Sequence, residues 1–173
     1  DHILPKGLDH ILFILGLCFL STRLRPLIWQ ISAFTLAHTV TLALAAVGWV
    51  SVPAAIVEPL IAASIVFVAV ENILTDGLNR WRPVVVFGFG LLHGLGFASV
   101  LTEFGLPAGQ FVPALLGFNV GVEIGQLTVI AAAYLSVGLW FGRKPWYRSV
   151  IAVPASAMIA LVGGWWFIER VFL

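Results

Sequence analysis

Charge is what this chain of 173 residues has least of: charged side chains make up 10% of it, against about a quarter in a soluble domain. With 61% hydrophobic residues and a mean hydropathy of +1.07, that scarcity excludes a water-soluble domain and leaves an integral membrane protein. The net charge of +1 offers neither a basic surface for nucleic acid nor an acidic tail, so no nucleic-acid partner is expected. A single cysteine, Cys18, allows no intrachain disulfide, and Met158 carries the one other sulfur. HExxH and CxxCH are both absent, which removes the familiar zinc-protease spacing and covalent haem. Position 1 is Asp rather than Met, so a signal peptide or extracytoplasmic segment is expected to have been removed upstream. The remainder, 1–173, reads as a single transmembrane domain.

What is present is apolar sequence in lengths that suit a bilayer. A spanning helix needs roughly 20 mainly apolar residues, and six segments qualify: 8–22, 27–50, 56–75, 84–103, 111–139 and 149–170. Gly or Pro punctuates each break, as in GWVSVP and EFGLPAG. The first span is short, and the fifth is long enough to require tilt or a break. The fold class is therefore all-α, a polytopic transmembrane helix bundle of about six spans. Arg23 and Arg25, Arg80 and Arg82, and Arg143, Lys144 and Arg148 fall in the first, third and fifth connections, whereas the second and fourth have no Lys or Arg. The positive-inside bias then puts the odd connections in the cytoplasm and both termini outside. Trp29, Trp81 and Trp146 would mark the inner interface, with Trp49 and Trp165 at the outer one.

The few ionisable residues inside these spans are costly, about 2.5–3.5 kcal/mol each at a helix centre on insertion scales. They are His38 in the second span, Glu71 beside Asn72 in the third, His93 in the fourth and Glu123 in the fifth, with His2, Asp9 and His10 at the lip of the first. Interhelical hydrogen bonding would account for any one of them. Ser, Thr or Asn would serve that purpose without a titratable group, so the set as a whole points to a cation route or a proton relay. Asn119, Glu123 and Gln126 stand at i, i+4 and i+7 and share one face. Gly117, Gly121 and Gly125 run beside them as a small-residue stripe that suits close packing, either inside the chain or in a homo-oligomer. Thr35 and Thr41 share the face of His38, so that a threonine hydroxyl could hold one imidazole nitrogen and leave the other for a ligand. Gly88, Gly90, Gly94 and Gly96 surround His93, leaving space for a helix or for an ion. FTLAH (34–38) and FGLLH (89–93) form a weak internal echo between two spans that run the same way.

Imidazole with carboxylate suits nickel, cobalt, zinc or ferrous iron, whereas copper(I) prefers sulfur and hard ions prefer more oxygens. Transport further requires that the ion can leave, which favours several sites of modest affinity.

The blocks HILPKGLDHILFILGL (2–17), ISAFTLAHTVTLALAAVGW (31–49), VEPLIAASIVFVAVEN (57–72), FGLLHGLGFA (89–98) and GFNVGVEIGQL (117–127) resemble the HupE/UreJ family of membrane proteins. That resemblance implies a multi-pass protein of a prokaryotic inner membrane, acting as a nickel or cobalt permease. Its first-helix signature carries over to His2, Asp9 and His10, and its later blocks to His38, Glu71, His93 and Glu123. The expected metal residues are these seven, supported by Thr35, Asn72, Asn119 and Gln126. An ion would enter near His2, Asp9 and His10, pass His38, His93 and Glu123, and leave past Glu71. Two readings from other classes stand beside this one: an intramembrane metal-dependent hydrolase using the same ligands, and a haem-binding accessory subunit with His38 and His93 as axial ligands.

Overall fold

The structure, a computed structural model, describes residues 3–20, 24–77, 79–103 and 111–172. Apolar side chains at helical spacing and an absence of polar turns leave each segment one way to satisfy its backbone in a bilayer, and every long segment is helical. The six helices are α1 (Ile3–Leu20), α2 (Leu24–Ala46), α3 (Ala54–Leu74), α4 (Arg82–Glu103), α5 (Phe111–Ala133) and α6 (Val153–Phe172). A π-helical turn, Tyr134–Gly138, leads into a last helical turn, Leu139–Phe141, so the fifth segment stays helical to its end with a local widening rather than a break. A second π-helical turn, Arg148–Ala152, leads into α6. Gly48, at φ +78°, ends α2 in the left-handed conformation that favours glycine.

Among the described residues four stretches are long and apolar enough to cross a membrane: Leu24–Ala45, Ala54–Leu74, Pro113–Phe141 and Arg148–Phe172. α1 and α4 contribute shorter apolar stretches, Gly7–Phe19 and Arg82–Phe97. α1 carries His10 and α4 carries His93. α1 continues through Pro5 and Gly7. Proline in a first helical turn has no intrahelical N–H bond to lose.

α2 packs most extensively against α4, and α3 against α6. Gly90 and Gly94 explain the first pairing. A methyl at Gly90 would lie 2.5 Å from the Phe34 carbonyl oxygen, and one at Gly94 would collide with Thr41 Oγ1 and the His38 carbonyl. Contacts that ascend together along both helices mean that α2 and α4 run parallel, as the FTLAH and FGLLH echo requires. Thr41 Oγ1 locks the pair by donating to the Leu91 carbonyl at 2.8 Å. Gly163 lets α6 close on Ile65 and Val66 of α3 in the same manner. The core joining the helices is Phe13, Ile14, Leu17, Ile31, Phe34, Ile65 and Val68.

The glycine stripe of α5 behaves differently from the expected packing within the chain. Gly117, Gly121 and Gly125 are exposed, and added methyl groups there would meet nothing within 4 Å. α5 instead turns Leu115, Asn119, Gln126 and Ile130 inward, on the other side of the helix. Many large apolar side chains face outward, including Leu36, Val84, Leu161 and Phe172, and so do Trp29, Trp49, Trp81 and Trp165. An outward apolar surface is what a lipid solvent calls for.

Candidate functional site

Three of the four histidines meet in the centre of the bundle. His10 lies on the inward stripe of α1 with Phe13, Ile14 and Leu17; His38 follows Phe34 by one turn on α2; His93 sits on α4 between Gly90 and Phe97. Because the glycines bring α4 tight against α2, both of their histidines reach the same α1 side chain. The ring centroid of His10 is 4.7 Å from that of His93 and 5.4 Å from that of His38, edge to face in both cases. Phe34 packs against all three imidazoles, Phe97 against His10 and His38, Phe13 against His93 and Phe118 against His38. His38 and His93 have no solvent exposure at all. A dry aromatic wall of this kind strengthens any ion–ligand interaction inside it.

Hydrogen-bond partners then decide which nitrogens carry protons. Asn119 of α5 donates its Nδ2–H to the Leu115 carbonyl at 2.8 Å, which turns its Oδ1 toward α2. That oxygen is an acceptor and stands 3.4 Å from His38 Nδ1, so Nδ1 bears the hydrogen and Nε2 keeps a bare lone pair. Thr39 supports the same oxygen at 2.9 Å. On α3, Ser64 Oγ donates to the Ile61 carbonyl at 2.7 Å and is 3.1 Å from His93 Nε2. With its own hydrogen used, the hydroxyl accepts from His93, whose Nε2 is thus protonated and whose Nδ1 is left bare. Both His38 Nε2 and His93 Nδ1 are buried without a hydrogen-bond partner among the described residues. The threonine expected to orient His38 from its own helix is not its partner. Thr41 is occupied by backbone carbonyls and Thr35 by Gln126 Oε1, at 3.0 Å, and the task falls to Asn119.

The carboxylates are distributed around this cluster rather than within it. Asp9 and His10 are consecutive, so about 100° of helix rotation separates them. His10 turns to α2 and α4, while Asp9 turns to α6. There Arg170 Nη2 lies 3.1 and 3.0 Å from its two carboxylate oxygens, and Nη1 donates to the Glu58 carbonyl at 3.1 Å. Glu71 lies two turns beyond Ser64 on α3, about 10 Å along the axis. Its carboxylate accepts from Arg82 Nη1 at 3.1 Å, and Arg82 also donates to Gln30 at 3.0 Å and Asn72 at 3.4 Å. Asn72 in turn reaches the Gly16 carbonyl and Ser156. Glu123 is half-buried on α5 and makes no hydrogen bond or ion pair among the described residues. His2 lies outside the described residues.

Among the described residues no group of three or more His, Cys, Asp or Glu side chains stands in a metal-holding arrangement. What the cluster offers is two oriented lone pairs with a third imidazole against both rings. The rings of His10 and Phe34 pack against both His38 and His93, in the space a bis-histidine haem would take. A cavity of about 220 Å³ leads to the cluster between α1 and α5, lined by Gly7, Ile11, Val122, Gly125, Gln126 and His10 among others. Ser64, Arg82 and Arg170 escaped the sequence reading of the site. Ser64 is one hydroxyl in an apolar run, Arg82 reads in sequence as a connection charge that orients the bundle, and Arg170 lies 43 positions beyond the last of the family-like blocks. A cation, beside Glu169, in the last turn of a largely apolar helix was the signal for Arg170.

A family profile described as HupE / UreJ protein matches residues 1–170. No curated protein and no solved structure matches the chain.

Proposed function

The chain belongs to the HupE/UreJ family, and from that premise we propose that this multi-pass membrane protein is a permease for a divalent transition-metal ion, nickel or cobalt. The observation that carries the reading is the pair of bare lone pairs on His38 Nε2 and His93 Nδ1, each fixed by an acceptor on the opposite nitrogen. Orienting an imidazole through its second nitrogen is how metal-ligating histidines are set. Neutral imidazole also matches nickel, cobalt and zinc in softness.

The cargo enters by way of His2 and Asp9 and meets the imidazoles of His10, His38 and His93. Glu123, on the helix that supplies Asn119, adds a carboxylate beside them. Departure past Glu71 requires the Arg82 ion pair to part. The absence of Lys and Arg from the second and fourth connections supports an orientation with both termini outside, in a prokaryotic inner membrane. Residues 1–173 act together as one transmembrane domain in this scheme, and the open Gly117, Gly121 and Gly125 face is where a second copy would dock.

The test is uptake of radioactive nickel and cobalt by cells expressing the wild type or the double variant His10→Ala/His93→Ala, with membrane levels of both proteins measured. Loss of accumulation at equal protein level is the expected result. Undiminished uptake by the double variant overturns the route.

A further inference from the structure

Two arginines, Arg82 buried and Arg170 partly buried, hold the carboxylates on either side of the histidine cluster, and they are held very differently. Arg82 is 1% exposed and donates to three side chains on two other helices, Gln30, Glu71 and Asn72. Arg170 is 13% exposed against 5% for its partner Asp9. Among the described residues it also donates to the backbone carbonyl of Glu58 and lies over the face of Trp166, 5.5 Å from the guanidinium carbon. It stands in the last turn of α6, where a cation is welcome at the helix end and a long side chain can extend toward headgroups.

We infer that Arg170 is an exchangeable counter-ion: its guanidinium neutralises Asp9 in the resting chain and is displaced when a divalent cation takes that carboxylate. The inference rests on the transport reading above. Its physical ground is charge. Asp9 and Arg170 form an ion pair, and the lone pairs that His38 and His93 present are those of neutral imidazoles. Adding a dication while the guanidinium stays on the same carboxylate would place two cations on one anion in a buried site, where like charges repel strongly. One of them must go, and Arg170, partly exposed in the last turn of α6, is the one that can swing outward. Selectivity follows, because a monovalent ion gains less from the carboxylate than is needed to displace an arginine held through both oxygens.

The experiment uses the purified full-length chain in detergent, titrated with Zn2+ as a spectroscopically silent probe. Tryptophan fluorescence is followed in the wild type and in Trp166→Phe, the difference between them giving the Trp166 signal. Saturable binding with a matching change at Trp166 is expected. Arg170→Gln should bind about tenfold more tightly, since the competing cation is gone, and Arg170→Lys should stay close to the wild type. Saturable binding that leaves Trp166 silent overturns the exchange, and so does an Arg170→Gln affinity no tighter than the wild type. If Arg170→Gln does not fold, the Trp166 response of the wild type decides alone. Failure of the wild type to bind Zn2+ or Ni2+ at all overturns the transport reading and the exchange with it.

Discussion

At the scale of single residues, the chemistry of the cluster is set by side chains that would never bind a metal themselves. Asn119 and Ser64 each present an acceptor to one imidazole nitrogen, and so choose the tautomer that leaves the other nitrogen bare. Replacing such a partner lowers metal affinity by about 10–100-fold in other histidine sites. Asn119→Leu and Ser64→Ala are therefore each expected to weaken Ni2+ binding by that order in isothermal titration, with helical content by circular dichroism unchanged. Affinity equal to the wild type in both variants would mean that the tautomers do not matter. Gln126 shows the same economy: its Oε1 accepts from Thr35, while its Nε2 is buried without a partner among the described residues.

At the scale of helices, two pairings position the site. α4 lies against α2 because Gly90 and Gly94 leave no side chain between them, and the register so fixed puts His38 and His93 on the same His10 ring. Gly94→Leu would place a side chain against Thr41 and the His38 carbonyl, and overpacking of this kind costs about 1–3 kcal/mol. Expected is a lower thermal midpoint together with loss of metal binding, whereas Gly88→Leu, where an added methyl meets nothing within 4 Å, should lower neither. The second pairing is made by Arg82, which ties α4 to Gln30 on α2 and to Glu71 and Asn72 on α3. Removing one partner of a buried ion pair costs about 3–5 kcal/mol because the other charge is stranded. Arg82→Gln should thus be destabilised by that amount in a denaturant or thermal titration, and Arg82→Gln with Glu71→Gln should recover a good part of it. A double variant no more stable than the single one would deny the coupling.

At the scale of the whole molecule, helix positions were legible in the sequence because hydropathy and Gly/Pro punctuation act locally. All six expected spans correspond to helices, with ends shifted by a few residues. The candidate ligands were legible as well, since an ionisable group in an apolar helix is rare and conspicuous. Their partners were not. That Asp9 answers to Arg170, 161 positions away, or that His93 answers to Ser64, depends on which helices are neighbours, and no local pattern carries that information. The glycines illustrate the same limit: the stripes of α4 and α5 look alike in sequence, yet Gly90 and Gly94 meet α2 while Gly117, Gly121 and Gly125 meet nothing. What emerges is a bundle with a dry imidazole cluster at its heart and an arginine–carboxylate pair on each side. The most direct test of that reading is X-ray absorption spectroscopy of the purified, nickel-loaded protein. Imidazole scattering around the metal, lost in His10→Ala/His93→Ala, is the expected result; a nickel site with oxygen ligands alone, or one unchanged in the double variant, would contradict it.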